Sequence, residues 1–505
     1  MSGLAALGLV MLVVMIGVIF IGFPISFTLL FLALAFGYFG LGEMVFSLAY
    51  FQTIGMMKEE LLAAVPLFIF MGFLTEQAGL MERLFIALRL LLAPIRGSLF
   101  AVVILTATIF AMATGIVGAA VTVLGIMASP IMVKTGYNGA LSAGAITAGG
   151  TLGILIPPSV MLIVMGPVLG VSVSDLYASA FGPGFLLAGF YLIYLLGRAF
   201  FNPKLGPPVP KEERIHSVPV IIKEVLVGVV PLVMLIGAAL GSILAGLATP
   251  TEAAGIGALG AMLLAAAYRK LSYAGVKRAV LSTTATSAMV LLLAVTSNIF
   301  GAVFARLGTA NWITETMLAL PLSPVMMLVV VLFLIFLLGW PFEWPAIILV
   351  FLPIFYPVMD ALKPTLGQAM GIPVDMVMVW FGALVAVTLQ TAFLSPPVAM
   401  SAYYLRQVVK EWSLATIYKG MFEFMILQVL AITLMVVFPR IAIEFPMQLQ
   451  AESRAVKTDE VDDSMNRLEE DPATRMKEET EEDEEKGGNA LEKDDLKAKK
   501  PAAKK

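Results

Sequence analysis

Long apolar blocks separated by short polar or Pro/Gly-containing joints make up the chain from Leu4 to about residue 438. A helix that spans a bilayer needs about 20 mostly apolar residues. On that measure Leu4–Phe20 and Ser26–Gly40 predict the first two spans. Further spans are predicted over 62–79, 98–112, 137–155, 181–198, 222–246, 251–268, 280–305, 323–338, 374–392 and 417–438. Several blocks between these are too short or too interrupted to cross alone and are predicted to be re-entrant. Leu4–Phe20 lacks the basic start and small-residue cleavage site of a signal peptide, which predicts a retained span.

The apolar pattern is broken most densely between Thr114 and Ser159. Gly115, Gly118, Gly125, Gly149, Gly150 and Gly153 lie there, followed by Pro157-Pro158. Within a helix Gly costs about 1 kcal/mol and Pro about 3 kcal/mol, and in lipid the freed backbone groups need protein or water to satisfy them. So many breakers predict a site rather than a plain span. The stretch from Gly339 to Pro397 repeats the punctuation: TGIVGAAVTVLGIMASP and GGTLGILIPPS in one half answer to GWPFEWPAIILVFLP and LQTAFLSPPVA in the other. Gly115 to Pro130 is 15 positions and Gly339 to Pro353 is 14, with the double prolines, Pro157-Pro158 and Pro396-Pro397, 239 positions apart. Interrupted apolar segments at matching places in two halves point to the binding site of a secondary transporter. Two unrelated kinked spans are the plainer alternative.

Candidate chemistry lies at these breaks. Helix N-termini offer N–H donors to a carboxylate, while unwound carbonyls and hydroxyls suit a hard cation such as Na⁺. Gly115, Gly118, Gly150, Gly153, Pro157, Pro158, Gly339, Pro396 and Pro397 shape the breaks. Thr114, Thr151 and Ser159 in the first half, and Thr388, Gln390, Thr391 and Ser395 in the second, supply side-chain oxygens. Of these Thr114, Thr151, Thr391 and Ser395, with Glu343, are the Na⁺ candidates, although Ser and Thr also bond back to helix carbonyls. Glu343 is the sharpest, because a carboxylate within the membrane is costly and functional by default; an ion pair with a loop arginine is its structural alternative. Glu252 follows Pro250 and reads as a helix-start residue, with Thr249 or Thr251 as cap.

Composition narrows the class. The chain has 505 residues, 60% hydrophobic and 13% charged, against about 25% charged in soluble domains. An all-α polytopic membrane protein follows. With no cysteine and one histidine, His216 in a polar loop, disulfides, thiolate metal sites and His clusters are excluded. No nucleophile–base pair or phosphate loop supports an enzyme, and no cofactor is expected. The net charge of −3 conceals a split. From Ala451 onward there are 18 acidic and 12 basic residues, and the body before it has 17 acidic and 20 basic. The loops Arg198–Lys223 and Tyr268–Arg278 are basic and separated by two spans, so both fit the cytoplasmic side. Scattered basic residues give no nucleic-acid patch. Residues 1–440 are expected to form the membrane domain, with repeats at about 60–198 and 280–438 joined through 199–222. A charged, disordered or partly helical tail is expected over 441–505.

Several runs resemble a known family. AVPLFIFMG at Ala64–Gly72, ASPIMVKTGYN, GTLGILIPPS and ATPTEAAGIGAL are similar to the large membrane subunit of TRAP transporters, the tripartite periplasmic systems, over about residues 1–440. NIFGAVFARLG and LQTAFLSPP look closer to the mannitol/chloroaromatic branch, which includes keto- and hydroxy-acid systems. The resemblance implies an inverted-repeat, elevator-type transporter of the bacterial inner membrane, with two re-entrant hairpins and two interrupted helices. It further implies a small four-helix membrane subunit, a periplasmic substrate-binding protein and Na⁺-driven import of an organic acid anion. The hairpin tips map near Thr114–Gly118 and Gly339–Glu343, the interrupted helices near Gly149–Ser159 and Thr388–Pro397. Two departures stand out: Glu343 where the family often has Asp, and Ser395-Pro396-Pro397-Val398-Ala399 where it often has Thr-Pro-Pro-Val-Gly. The alternatives are a stand-alone Na⁺/organic anion symporter and, from another class, a channel, which would need polar rings that are not seen.

Overall fold

The computed structural model describes residues 2–208, 218–396 and 399–452. His216, Pro397, Val398, most of the charged tail and the Thr114 side chain lie outside the described residues. Every regular element described is helical, and ten helical segments are long and apolar enough to cross a membrane.

The first half runs α1 (Gly3–Ile21), α2 (Ile25–Leu41), α3 (Met44–Met57), α4 (Ala64–Gln77), α5 (Leu80–Leu92), α6 (Ser98–Thr114), α7 (Val117–Lys134), α8 (Gly139–Thr151), α9 (Val160–Leu169) and α10 (Val173–Phe201). The second runs α11 (Val218–Gly228), α12 (Val230–Leu244), α13 (Pro250–Ala267), α14 (Tyr273–Arg306), α15 (Thr309–Leu318), α16 (Pro324–Leu338), α17 (Trp344–Ala346), α18 (Leu352–Met370), α19 (Val377–Ala392), α20 (Met400–Val408) and α21 (Leu414–Val437). A π-helical turn, Ile347–Phe351, joins α17 to α18. Ser2, Asn138, Ser172, Ser272, Ser323 and Ser413 cap their helices through side-chain oxygens. Thr249 and Glu252 form a reciprocal capping box at the start of α13, the structural role expected of Glu252. Thr251 instead donates to the Glu60 carbonyl, tying α13 to the turn before α4.

α6 and α7 form a hairpin. Its base is closed where the Leu99 N–H donates to the Tyr137 hydroxyl and Phe100 packs on Tyr137 at 4.8 Å between ring centres. The tip is Gly115-Ile116, with Gly115 at φ +60°. The start of the inter-half linker is fastened to that base: Gly206 and Leu205 carbonyls accept from Gly97 and Asn138. In the second half α16 turns at Gly339–Glu343 and packs back along α18. Behind each hairpin lies a helix interrupted in its middle, α8 into α9 and α19 into α20.

Several of the breakers do not break anything. α7 continues through Pro130, and the second hairpin continues through Pro353. The π turn immediately ahead of Pro353 widens the helix, which accommodates a ring that would otherwise crowd the carbonyl four residues back. Gly125 and Gly150 remain helical and serve close packing. A methyl on Gly150 would stand 2.4 Å from Val121 Cγ2, and one on Gly125 2.9 Å from Leu405 Cδ1. A close crossing joins α8 and α21, where a methyl on Gly420 would meet the Ala140 carbonyl oxygen at 1.9 Å. The segments α3, α5 and α15 lie outside the predicted spans, as do Val117–Lys134 and Trp344–Met370, which are long and apolar enough to cross, and α14 starts within the expected basic loop. Helix also continues over 440–452. Ile443 there is buried, and Phe445 packs edge-on against Phe181, so the packed body extends past Arg440.

Candidate functional site

The two hairpin tips and the two helix breaks meet around one cavity of about 240 Å³. Gly115 and Ile116 come from the first tip, Ile154 and Val160 flank the first break, Glu343 and Trp344 close the second tip, and Phe393 and Met400 flank the second break. A methyl on Gly115 would stand 3.8 Å from the Pro158 carbonyl oxygen and the Val160 nitrogen, and 3.9 Å from the Gly153 carbonyl oxygen. The tip therefore lies directly against the opened backbone of α8–α9. The second half matches: a methyl on Gly339 would be 2.8 Å from Ala392 Cβ, at the end of α19. The halves also interlock, since Gly118 faces the Tyr404 ring of α20, 3.1 Å from a built Cβ.

Four helices start on this cavity. Val117, Val160, Trp344 and Met400, the first residues of α7, α9, α17 and α20, all line it. None of the four is capped by its own N-cap side chain, at Ile116, Ser159, Glu343 and Ala399. Initial helical N–H groups have no partner within their helix, and their aligned dipoles place positive potential there. Helix-start dipoles therefore face the cavity opposite the carbonyl ends of the interrupted segments, with Glu343 as a carboxylate on its lining. Glu343 is exposed to the cavity space and, among the described residues, forms no ion pair. The loop-arginine alternative is absent there.

Other sequence candidates lie behind the cavity wall. Thr151, Ser159, Thr388, Thr391 and Ser395 are buried, and each hydroxyl donates to a backbone carbonyl: Ala148, Ile154, Leu384, Thr388 and Thr391 respectively. Those bonds leave only oxygen lone pairs for any ligand. Gln390 differs, being fully buried with both amide atoms unpartnered; an unmatched buried polar group costs about 1–3 kcal/mol, so this amide is suited to water or a ligand. Of the named candidates, Gly115, Gly118 and Glu343 line the cavity. Gly150 packs helices. Gly153, Pro157 and Pro158 build the first break and Pro396 the second, while Thr114 contributes its backbone at the end of α6. No local pattern marks Thr286 and Met289 of α14, which close another side, because α14 is an unbroken helix far along the chain from either break. Tyr404, in the short helix that follows the second double proline, carried no sequence signal either.

Helices interrupted at a shared cavity inside an all-helical, multi-pass body define a membrane transporter fold. Solved structures agree at the level of fold. The Alcanivorax borkumensis YdaH transporter matches with a TM-score of 0.57 at 15% identity, covering 80% of this chain and 90% of that one. Neisseria gonorrhoeae MtrF, described among antimetabolite efflux pumps, matches with a TM-score of 0.54 at 15% identity, covering 79% and 84%. Residues 12–441 match the model of the tripartite ATP-independent periplasmic transporter DctM component, and the chain belongs to that family. It is 28% identical to the sialic acid TRAP transporter large permease protein SiaM of Vibrio cholerae, over 85% of this chain and 96% of that one. To the C4-dicarboxylate TRAP transporter large permease protein DctM of Pseudomonas aeruginosa it is 30% identical, over 76% and 86%. To the ectoine TRAP transporter large permease protein TeaC of Halomonas elongata it is 26% identical, over 86% and 97%. The narrower resemblance to a mannitol/chloroaromatic branch gains no support from these relatives.

Proposed function

We propose that this chain is the large permease subunit of a Na⁺-driven, binding-protein-dependent importer of an organic acid anion. The observation that carries the reading is the convergence of four uncapped helix N-termini on one cavity. Backbone N–H groups and dipoles so arranged fit a carboxylate. The opposing ends of the interrupted segments supply carbonyl oxygens, among them Gly153 and Pro158 beside the Gly115 tip, and Glu343 supplies negative charge. Oxygen donors of this kind fit Na⁺. In this reading Thr114, Thr151, Thr391 and Ser395 lend further oxygens, the hairpins are re-entrant, and the two halves form an inverted repeat.

Transport follows an elevator motion, in which the hairpins and interrupted helices move as a body against α14 and its neighbours. A small four-helix membrane subunit would extend the stationary part, and a periplasmic binding protein would deliver the solute in the bacterial inner membrane. The test is uptake into proteoliposomes of labelled sialic acid, C4-dicarboxylates and ectoine, with both partners added or omitted and with or without an inward Na⁺ gradient. Uptake of one solute that needs both partners and Na⁺ is the expected result. Uptake by this chain alone would make it a stand-alone symporter.

A further inference from the structure

A second cavity, of about 570 Å³, lies along the same three helices that border the central one. On α14 the central cavity is lined by Thr286 and Val290, and the second by Ala294, Ser297, Asn298 and Gly301. Those positions recur every three or four residues, so they form one continuous helix face. The opposite wall repeats the relation: Pro345 lines the first cavity, Leu349 and Pro353 the second, four residues apart each time. Likewise α9 gives Val160 to the first and Pro167 and Val168 to the second. Eight residues along a helix correspond to ~12 Å, so the two cavities succeed one another along a single groove.

The second cavity is polar where the groove leads away from the centre. Ser297 is 1% exposed, and its hydroxyl oxygen has no hydrogen-bond partner. Such a group inside a protein needs water or a ligand. Asn298 and, from the α3 end of the wall, Gln52 and Glu59 add an amide pair and a carboxylate. The direction of the groove follows from charge. Lys270, Lys277 and Arg278 cluster at the start of α14, the end that the positive-inside rule assigns to the cytoplasm. The second cavity lies toward the other end. Glu59 agrees, because the neighbouring Glu60 carbonyl is bonded to the start of α13, a helix whose far end enters the same basic loop.

We propose that the second cavity is the hydrated outer vestibule through which the coupling cation reaches the central site. Ser297, Asn298 and Gln52 provide transient hydrogen bonds there, and Glu59 makes the vestibule selective for positive charge. The proposal rests on reading the central cavity as the solute site. The native chain contains no cysteine, so single thiols report on the path without background.

Asn298→Cys, Thr286→Cys and, as a packed control on α14, Val303→Cys would be expressed in intact cells. They would be treated from outside with cationic and anionic membrane-impermeant methanethiosulfonates. Asn298→Cys is expected to react at least ~10-fold faster than Val303→Cys, since thiol modification follows access and thiolate character. The cationic reagent should be the faster, and Glu59→Gln should narrow that gap. Adding Asn298→Trp should then slow external modification of Thr286→Cys several-fold, by about the same order. An unreactive Asn298→Cys overturns the vestibule. So does a Thr286→Cys whose external modification is unchanged by Asn298→Trp, because solvent would then reach the centre by another route. Surface biotinylation and monodisperse elution of each variant distinguish a blocked path from misfolding, with Gln52→Trp as the second blocking variant. The labelling pattern is independent of which solute is carried. Failure of the uptake assay with this pattern intact would therefore reject the function and keep the water path.

Discussion

Glu343 carries the most specific chemistry of any single residue here. It stands at the second hairpin tip, in contact with cavity space and with no ion pair among the described residues, so its charge is available to a cation. Glu343→Gln preserves shape and removes the charge. The expected outcome is uptake whose half-saturating Na⁺ concentration rises at least about tenfold, equivalent to ~1.4 kcal/mol, with membrane expression unchanged. Unaltered Na⁺ dependence would remove Glu343 from the coupling site. Ala399 is a different case. It is the N-cap of α20 at φ +34°, in the left-handed region that favours glycine. A β-carbon there costs about 1–2 kcal/mol, partly offset by the greater freedom of glycine in the unfolded chain. Ala399→Gly is therefore expected to raise thermal stability by up to about 1 kcal/mol, read as a higher melting midpoint in detergent. A lower midpoint would show that the strain lies elsewhere.

At the scale of elements, glycine divides into two uses that look alike in sequence. Gly115 opens a hairpin tip, whereas Gly144 and Gly420 let α8 and α21 approach closely. A methyl on Gly144 would stand 2.9 Å from the Gly420 carbonyl carbon, and one on Gly420 1.9 Å from the Ala140 carbonyl oxygen. Small residues permit this kind of backbone contact within a membrane. Gly420→Val is expected to separate α8 from α21 and to destabilise by about 3 kcal/mol or more, seen as reduced yield of monodisperse protein. Gly189→Val, on α10 with nothing within 4 Å of its built Cβ, should leave yield unchanged. Equal yields from both would contradict the packing described. The same division explains which breakers proved to be breaks. Pro130 lies inside α7, and Pro353 follows the π turn at the start of α18, so neither interrupts its segment. The openings shrink to Gly115-Ile116 and Gly339–Glu343.

For the membrane body as a unit, α14 is the element against which both cavities are formed, and the proposed elevator requires the second hairpin to slide along it. Met289 on α14 and Trp344 at the second tip line the central cavity together. Met289→Cys with Trp344→Cys, joined by a short bis-methanethiosulfonate that forms a reducible disulfide to each thiol, should abolish uptake, and reductant should restore it. Continued uptake in fully cross-linked protein would rule out sliding between these elements. The measurement is informative whichever solute is carried, because each sample serves as its own reduced control.

Eight of the ten long apolar segments and the pairing of two punctuated halves were legible in the chain, because hydrophobic length and Pro/Gly placement are local properties that a bilayer enforces on each segment separately; Val117–Lys134 and Trp344–Met370, read as too interrupted to cross, were the exceptions. Glu343 was legible for the same reason: one carboxylate in an apolar run needs no partner to be conspicuous. Tertiary structure alone decided that four helix starts share one cavity, that Thr286, Met289 and Tyr404 complete its wall, and that most glycines pack rather than bend. It also decided that Thr151, Thr388, Thr391 and Ser395 turn their protons toward their own helices. These outcomes depend on which helices meet, and the contacts between Gly115 and Pro158, or Gly118 and Tyr404, join residues far apart in the chain that no local pattern connects.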